Sequence, residues 1–243
     1  MAFPRISNGF ISEKIIFNED LVLVTVNLNR KLPRIKAGQF VHLALTEYLP
    51  DKRWPESRVF SVANKTDGLS IKLLISRQGA FTSFLIDKIN INAKVSVKGP
   101  YGEFAIKENE NSIVLLSGGS GISAFTAFLE AGLEAHSSFS KCKITLLYGA
   151  RNKELLVFRD LVKKVQNNFP NFNVVFFAEE LEETNIKDII KGRIDLGVLD
   201  WKSEYKSRDY YISGGQDMIN FFKEKLTNEY SIDLDSIYVD AWE

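Results

Sequence analysis

Gly118-Gly119-Ser120-Gly121 places three glycines in four positions. An apolar run, Ser112-Ile113-Val114-Leu115-Leu116, precedes it, and a helix-forming run, Ala124 to Ala131, follows. A strand, a glycine turn and a helix start let a backbone approach a dinucleotide pyrophosphate. Missing Cβ atoms leave room, and the first N–H groups of the helix face the anion. The turn is neither G-x-G-x-x-G nor a Walker loop, since no Lys-Ser or Lys-Thr follows Gly121. A tight strand–helix turn without a ligand carries the same signature.

Three other runs combine groups that can do chemistry. Arg58-Val59-Phe60-Ser61 puts a cation, a ring and a hydroxyl on one strand. Alternation sets Arg58 and Phe60 on one face and Ser61 on the other. Gln78-Gly79-Ala80-Phe81-Thr82-Ser83 starts a helix with a glycine and a hydroxyl, a second candidate anion site. Gly99-Pro100-Tyr101-Gly102-Glu103-Phe104 is a tight turn. Taken singly, these are a surface arginine, a capped helix and a turn. His42 and His136 have no neighbouring ligand set, so no metal site or histidine-based triad is expected. The one cysteine, Cys142, excludes an internal disulfide and a four-cysteine cluster, and reads as a core residue. Chemistry is left to a bound cofactor.

The elements that must position these groups fall into two grammars. Residues 1–107 hold short strands at Leu21–Leu28, Gln39–Leu45, Ser57–Ala63, Leu69–Ile75 and Lys94–Val97. One helix, Thr82–Ile89, interrupts them, with Phe84, Leu85 and Ile89 at helical spacing. This pattern predicts a small antiparallel barrel. Residues 108–243 alternate strand and helix: Ile113–Leu116, Ser123–Ala135, Ile144–Tyr148, Leu156–Asn167, Asn173–Phe177, a helical piece at Ile186–Ile190, Tyr210–Ser213, Met218–Thr227 and Ser236–Val239. Such βα units predict a parallel sheet with helices on both faces. The polar stretch Lys107–Asn111 reads as the linker.

The bulk numbers are those of a soluble globular protein: 243 residues, 45% hydrophobic and 26% charged. A formal net charge of zero gives no sign of a nucleic-acid or acidic-membrane partner. No stretch reaches the roughly 20 apolar residues of a membrane span. Met1-Ala2-Phe3-Pro4-Arg5 starts no signal-peptide core, so a cytoplasmic enzyme is expected.

Taken in order, the motifs resemble the ferredoxin–NADP⁺ reductase superfamily over roughly residues 37–243. Ala37-Gly38-Gln39-Phe40 is similar to its early barrel motif. Arg58-Val59-Phe60-Ser61 is similar to Arg-x-Tyr-Ser/Thr, with Phe for Tyr, and Gly79-Ala80-Phe81-Thr82 to Gly-x-x-Ser/Thr. Gly99-Pro100-Tyr101-Gly102, Gly119-Ser120-Gly121-Ile122, Tyr148-Gly149-Ala150-Arg151, Gly192-Arg193-Ile194 and Ile212-Ser213-Gly214-Gly215 continue the set. The resemblance implies a six-stranded antiparallel Greek-key barrel that binds FAD, followed by a doubly wound parallel α/β domain that binds NADH or NADPH.

It further implies roles. Arg58 would pair with the flavin pyrophosphate, Phe60 would stack on the flavin, and Ser61 would meet its reactive nitrogen. Val59 belongs to the same motif. Gly79, Ala80, Phe81 and Thr82 would hold the pyrophosphate. Gly118, Gly119, Ser120, Gly121, Ile122, Gly214 and Gly215 would receive the nicotinamide nucleotide, with Arg151 nearby. Ser213 stands where the family often has Cys, and Trp242, in an acidic-x-aromatic ending, would cover the flavin. No fused iron–sulfur or globin domain is expected. The expected activity is hydride transfer from NAD(P)H to bound FAD, then electron release to a separate ferredoxin or oxygenase component, by a monomer or homodimer. Reduction of free flavin as a substrate, and a non-catalytic flavin-binding redox sensor, are the alternatives. The acidic run Glu179-Glu180-Leu181-Glu182-Glu183 favours NADH, while Arg151 and Arg193 would favour NADPH.

Overall fold

The computed structural model describes residues 3–107, 112–135, 142–182, 188–201 and 208–240. His136, Glu183 and Trp242 lie outside them. Two compact units form, residues 1–105 with 123–128, and residues 106–122 with 129–243.

The first unit is a six-stranded antiparallel sheet. Its strands are β1 (Arg5–Asn18), β2 (Leu21–Leu28), β3 (Phe40–Ala44), β4 (Ser57–Ser61), β5 (Ser70–Ser76) and β6 (Lys94–Tyr101), in the order β4-β3-β6-β1-β2-β5. A bridge between Val62 and Leu73 joins the two ends and nearly closes the barrel. Val22, Val24, Val41, Leu43, Leu73 and Val97 fill the interior with no more than traces of exposure. Strand β1 has no counterpart among the strands expected from sequence. Only Ser7, Gly9 and Ile11 are buried along its 14 residues, so its apolar period is weak. Helix α1 (Ala80–Lys88) buries Phe81, Leu85 and Ile86 against the barrel. Phe84, placed on the apolar stripe by its spacing, is instead 52% exposed. The Lys14 ammonium donates to the carbonyls of Ile86 (2.7 Å) and Ile89 (2.8 Å), the end of a helix where a cation is favoured.

The second unit is a parallel sheet of β7 (Ser112–Gly118), β8 (Ile144–Asn152), β9 (Phe172–Glu180), β10 (Ile189–Lys191), β11 (Arg208–Ser213) and β12 (Ile237–Val239), in the order β10-β9-β8-β7-β11-β12. Helix α2 is Ser123–Ala135, α3 Arg159–Asn168 and α4 Gln216–Asn228. From α4, Ile219, Phe222 and Leu226 pack with Val114, Leu116, Tyr210 and Ile212 on one face. On the other face the cations of Arg159 and Lys163, from α3, each lie 5.6 Å from the centre of the Phe176 ring. The helical piece expected at Ile186–Ile190 is corrected: Ile189–Lys191 pairs with Phe176–Ala178 as strand β10. Pairing with a neighbouring strand overrides the local spacing of the isoleucines. No helix of the described residues is long and apolar enough to cross a membrane.

Candidate functional site

In the barrel, β4 lies against β3 with Phe40 opposite Ser61, Val41 opposite Phe60 and Leu43 opposite Arg58. Pleating therefore turns Phe60 and Arg58 to the side of the core residues Val41 and Leu43, and Ser61 and Val59 to the outer side with Phe40 and His42. Phe60 is 9% exposed and belongs to the barrel core, so most of its ring is taken by packing. Arg58 reaches out of the barrel mouth. Its guanidinium stands 5.1 Å over the Phe81 ring. It also makes a 2.8 Å ion pair with Glu56 and donates to the Ser57 carbonyl at 2.9 Å.

Phe81 is in the first turn of α1, so Arg58 meets a helix N-terminus. No side chain caps that helix, and its cap residue Gly79 is exposed. The first N–H groups of a helix lack intrahelical partners. The Thr82 hydroxyl works internally: it accepts from the Gln78 N–H at 2.8 Å and donates to the Gly79 carbonyl at 3.2 Å. It shapes the turn, and the backbone and Arg58 are left to meet an anion. A guanidinium beside an uncapped helix start fits the pyrophosphate of FAD.

On the outer face, Phe40 stacks on Tyr101 with ring centres 5.8 Å apart, and His42 meets Tyr101 edge-on at 5.0 Å. Burial, aided by the Lys98 charge, holds the His42 imidazolium below its ordinary pKa of 6.5. Gln39 ties the corner together. Its side-chain N–H donates to the Gly102 carbonyl at 3.0 Å, and its own carbonyl accepts from Val62 N–H at 3.0 Å. At Gly102, φ is +92° and a Cβ would lie 2.9 Å from the Phe40 ring, so only glycine turns the chain there. None of Phe40, His42 and Tyr101 was expected as a site residue. The alternation of Gln39–Leu45 does place Phe40 and His42 on one face.

In the parallel sheet, the strand order reverses between β7 and β11, the place where open α/β sheets bind ligands beyond their strand ends. Here the structure brings together Gly118–Ile122, Ser213, Gly214 and Gly215. Ser117 lies opposite Ser213 in register. A Cβ at Gly121 would collide with the Ser213 carbonyl, and one at Gly118 with the Met218 sulfur. Gly121 is required by packing against backbone, whereas at Gly118 the flexible Met218 side chain would have to move. Gly119, at φ +54°, and Gly215, ahead of α4, face open space instead. Two helix starts and two unobstructed glycines make a cradle that fits a dinucleotide phosphate. The Ser117 hydroxyl is buried with no hydrogen-bond partner among the described residues.

Beside the cradle, the Ser213 hydroxyl donates to Asp240 at 2.9 Å, and the Asp240 N–H donates to the Ile212 carbonyl at 2.9 Å. Both side chains are buried. Asp240 was not expected as a site residue, because its partner lies 27 positions away and leaves no local signature. Further along the strand ends, Arg151 is exposed at the end of β8. At the end of β9, Glu179 forms a 3.1 Å ion pair with Arg193. The Cys142 thiol is buried and its pKa is pushed up by that burial, as suits a core residue.

The two units thus carry, separately, a guanidinium beside an uncapped helix start and a glycine cradle that fits a dinucleotide phosphate. Residues 9–106 match the oxidoreductase FAD-binding domain family and residues 115–224 the oxidoreductase NAD-binding domain family, so the chain belongs to the ferredoxin–NADP⁺ reductase superfamily. It is 26% identical over 200 residues to a flavohemoprotein of Rhizobium meliloti, covering 78% of this chain and 48% of that protein. It is 25% identical over 217 residues to the phenol 2-monooxygenase reductase component DmpP of a Pseudomonas species, covering 87% and 59%. The chain spans about half the length of the curated relatives it matches. The FAD/NAD-binding domain of a Vibrio cholerae nitric oxide dioxygenase shares its fold, with TM-score 0.81, 16% identity and coverage of 96% and 97%. So does the Amycolatopsis cytochrome P450 reductase GcoB, with TM-score 0.81, 20% identity and coverage of 98% and 69%. The chain thus carries an oxidoreductase FAD-binding domain and an oxidoreductase NAD-binding domain.

Proposed function

We propose that this chain is the reductase of a multicomponent system, taking hydride from NADH or NADPH on a tightly held FAD and passing electrons to a separate iron–sulfur or oxygenase protein. FAD held there would supply the exchange between a two-electron hydride and single electrons. Arg58 and the N–H groups of Ala80 and Phe81 bind the pyrophosphate. Ser61 presents its hydroxyl at the reactive flavin nitrogen. Gly119 and Gly215 admit the dinucleotide phosphates. The Ser213 hydroxyl, its proton directed to Asp240, offers oxygen lone pairs to the nicotinamide carboxamide. The domains divide at 107/108.

The observation that carries this reading is Arg58 beside the start of α1, since a retained FAD needs a built pyrophosphate site. The relationship to DmpP supports a separate acceptor. Reduction of free flavin is the second reading. It is favoured by the Arg58–Glu56 pair, which already neutralises the cation, and by a serine, Ser213, where a cysteine is frequent. The absorption spectrum of the purified protein separates them. Retained yellow FAD, bleached anaerobically by NADH or NADPH, supports the first; a colourless protein that reduces added flavin supports the second.

A further inference from the structure

Arg77 follows β5 directly and stands two residues ahead of Gly79, the cap of α1. Its side chain is almost fully engaged. Nε donates to Asp20 Oδ1 at 2.9 Å and Nη1 to Asp87 Oδ2 at 3.0 Å. Nη2 donates both to Asp87 Oδ1 at 2.8 Å and to the Glu19 carbonyl at 2.6 Å. The Arg77 N–H adds a bond to the Asp20 carbonyl at 2.8 Å. One residue therefore gathers the turn between β1 and β2, the end of β5 and the last turn of α1. The first of these is itself fixed, since the Asp20 N–H donates to Asn18 Oδ1 at 2.9 Å.

Stability alone gives little reason for this clamp. The Arg77 side chain is 27% exposed, with Asp20 at 57% and Asp87 at 49%, and ion pairs that solvent reaches contribute little to folding. Nor is Arg77 a spare cation for an anion, because two carboxylates already face it. What a bidentate fork supplies is direction. Asp87 is the penultimate residue of α1, so the helix is held at its end through Asp87 and at its start through the short peptide from Arg77 to Gly79. Within that peptide the Gln78 N–H is bound to Thr82 Oγ1, and the Gly79 carbonyl accepts the Ser83 N–H at 2.9 Å. The aim of the Ala80 and Phe81 N–H groups thus follows from where Arg77 places the turn. No acidic residue stands in the first turn of α1 to compete with an anion there.

We infer that Arg77 is a positioning residue for the pyrophosphate of FAD, acting through the Gln78–Gly79 turn to aim the first N–H groups of α1. The inference rests on the reading above that FAD is held by Arg58 and the start of α1. Arg58 supplies charge to the site and Arg77 supplies its geometry. Donors already in place bind an anion without the cost of ordering them first.

The test titrates the flavin-free full chain with FAD and with riboflavin, which has no phosphate, and follows flavin fluorescence. Thermal melting of the same samples reads the fold. R77K keeps the charge but replaces the planar fork with one ammonium; it should weaken FAD about tenfold and riboflavin less than about twofold. D87N should weaken FAD about threefold, and in R77K/D87N the two losses should not add, since both changes break one link. FAD affinity of R77K equal to wild type overturns the inference. Equal losses of FAD and riboflavin also overturn it, because a general loosening of the barrel weakens both. So do losses that add in R77K/D87N, which would give the two residues separate roles. Should R77K fail to melt cooperatively, D87N carries the same comparison of FAD with riboflavin. A wild-type chain that binds FAD no more tightly than riboflavin would instead defeat the reading of a built pyrophosphate site, and the role of Arg77 with it.

Discussion

Ser213 Oγ donates a 2.9 Å hydrogen bond to Asp240 Oδ2, linking the end of β11 to the residue after β12, with 1% and 3% of the two residues exposed. Ser213→Ala removes a donor from a buried carboxylate and should cost about 1–3 kcal/mol in urea unfolding. It should also slow anaerobic flavin reduction by NADH. Ser213→Cys should restore part of the rate. A variant with wild-type stability and rate would show that the pair is neither structural nor in contact with the nicotinamide.

Arg58→Ala should lose flavin, not fold. Its pair with Glu56 is half exposed on one side and 70% exposed on the other, so its contribution to stability is about 0–1 kcal/mol. A charge-assisted contact to a pyrophosphate is worth about 1.5–3 kcal/mol, or roughly ten- to a hundredfold in FAD affinity. Flavin fluorescence titration of the apoprotein reads the affinity, and thermal melting of the same sample reads the fold. Full FAD retention would remove Arg58 from the site.

NADH should be preferred over NADPH. Glu179 is the penultimate residue of β9, two strands from β7 and so about 10 Å from the glycine cradle, within reach of an adenosine ribose. Its carboxylate opposes a 2′-phosphate and engages Arg193. Glu179→Gln keeps the shape, removes the charge and frees Arg193, which should raise kcat/KM for NADPH about tenfold. Steady-state rates with menadione and both nucleotides check this. A wild-type preference for NADPH would mean that Arg151 or Arg193 faces the ribose.

His42 should make stability depend on pH. Burial first, and Lys98 second, depress its folded pKa below the ordinary 6.5. A base with a depressed folded pKa takes up its proton more readily when unfolded. Stability is therefore full above about pH 6.5 and declines as pH falls below it, until the folded pKa is reached. His42→Phe, which keeps the edge contact with Tyr101, should flatten this part of the urea-midpoint profile. An unchanged slope would assign it to other groups.

The elements with strong apolar period were legible in the sequence: β2, β5, β7, β8 and α2 stand where the residues imply. Strand β1 was not, because Gly9, Asn8 and a bulge between Ile11 and Glu13 break its alternation, and its partners β2 and β6 supply what its sequence lacks. Strand β10 has three residues and exists through its pairing with β9. Both glycine turns could be read directly, since glycine needs a steric reason. Asp240 and the Phe40–His42–Tyr101 group could not, since each is assembled by strands distant in the chain.

The closure of the barrel by Val62 and Leu73 also governs how this chain behaves in company. Unpaired strand edges are templates for strand addition and aggregation. The bridge ties the barrel's two edge strands, β4 and β5, together at their meeting point. The parallel sheet ends in β10 and β12, each only three residues long. Among the described residues, neither sheet offers a long open edge, so a crowded or partly denatured sample has little native template on which to grow fibrils.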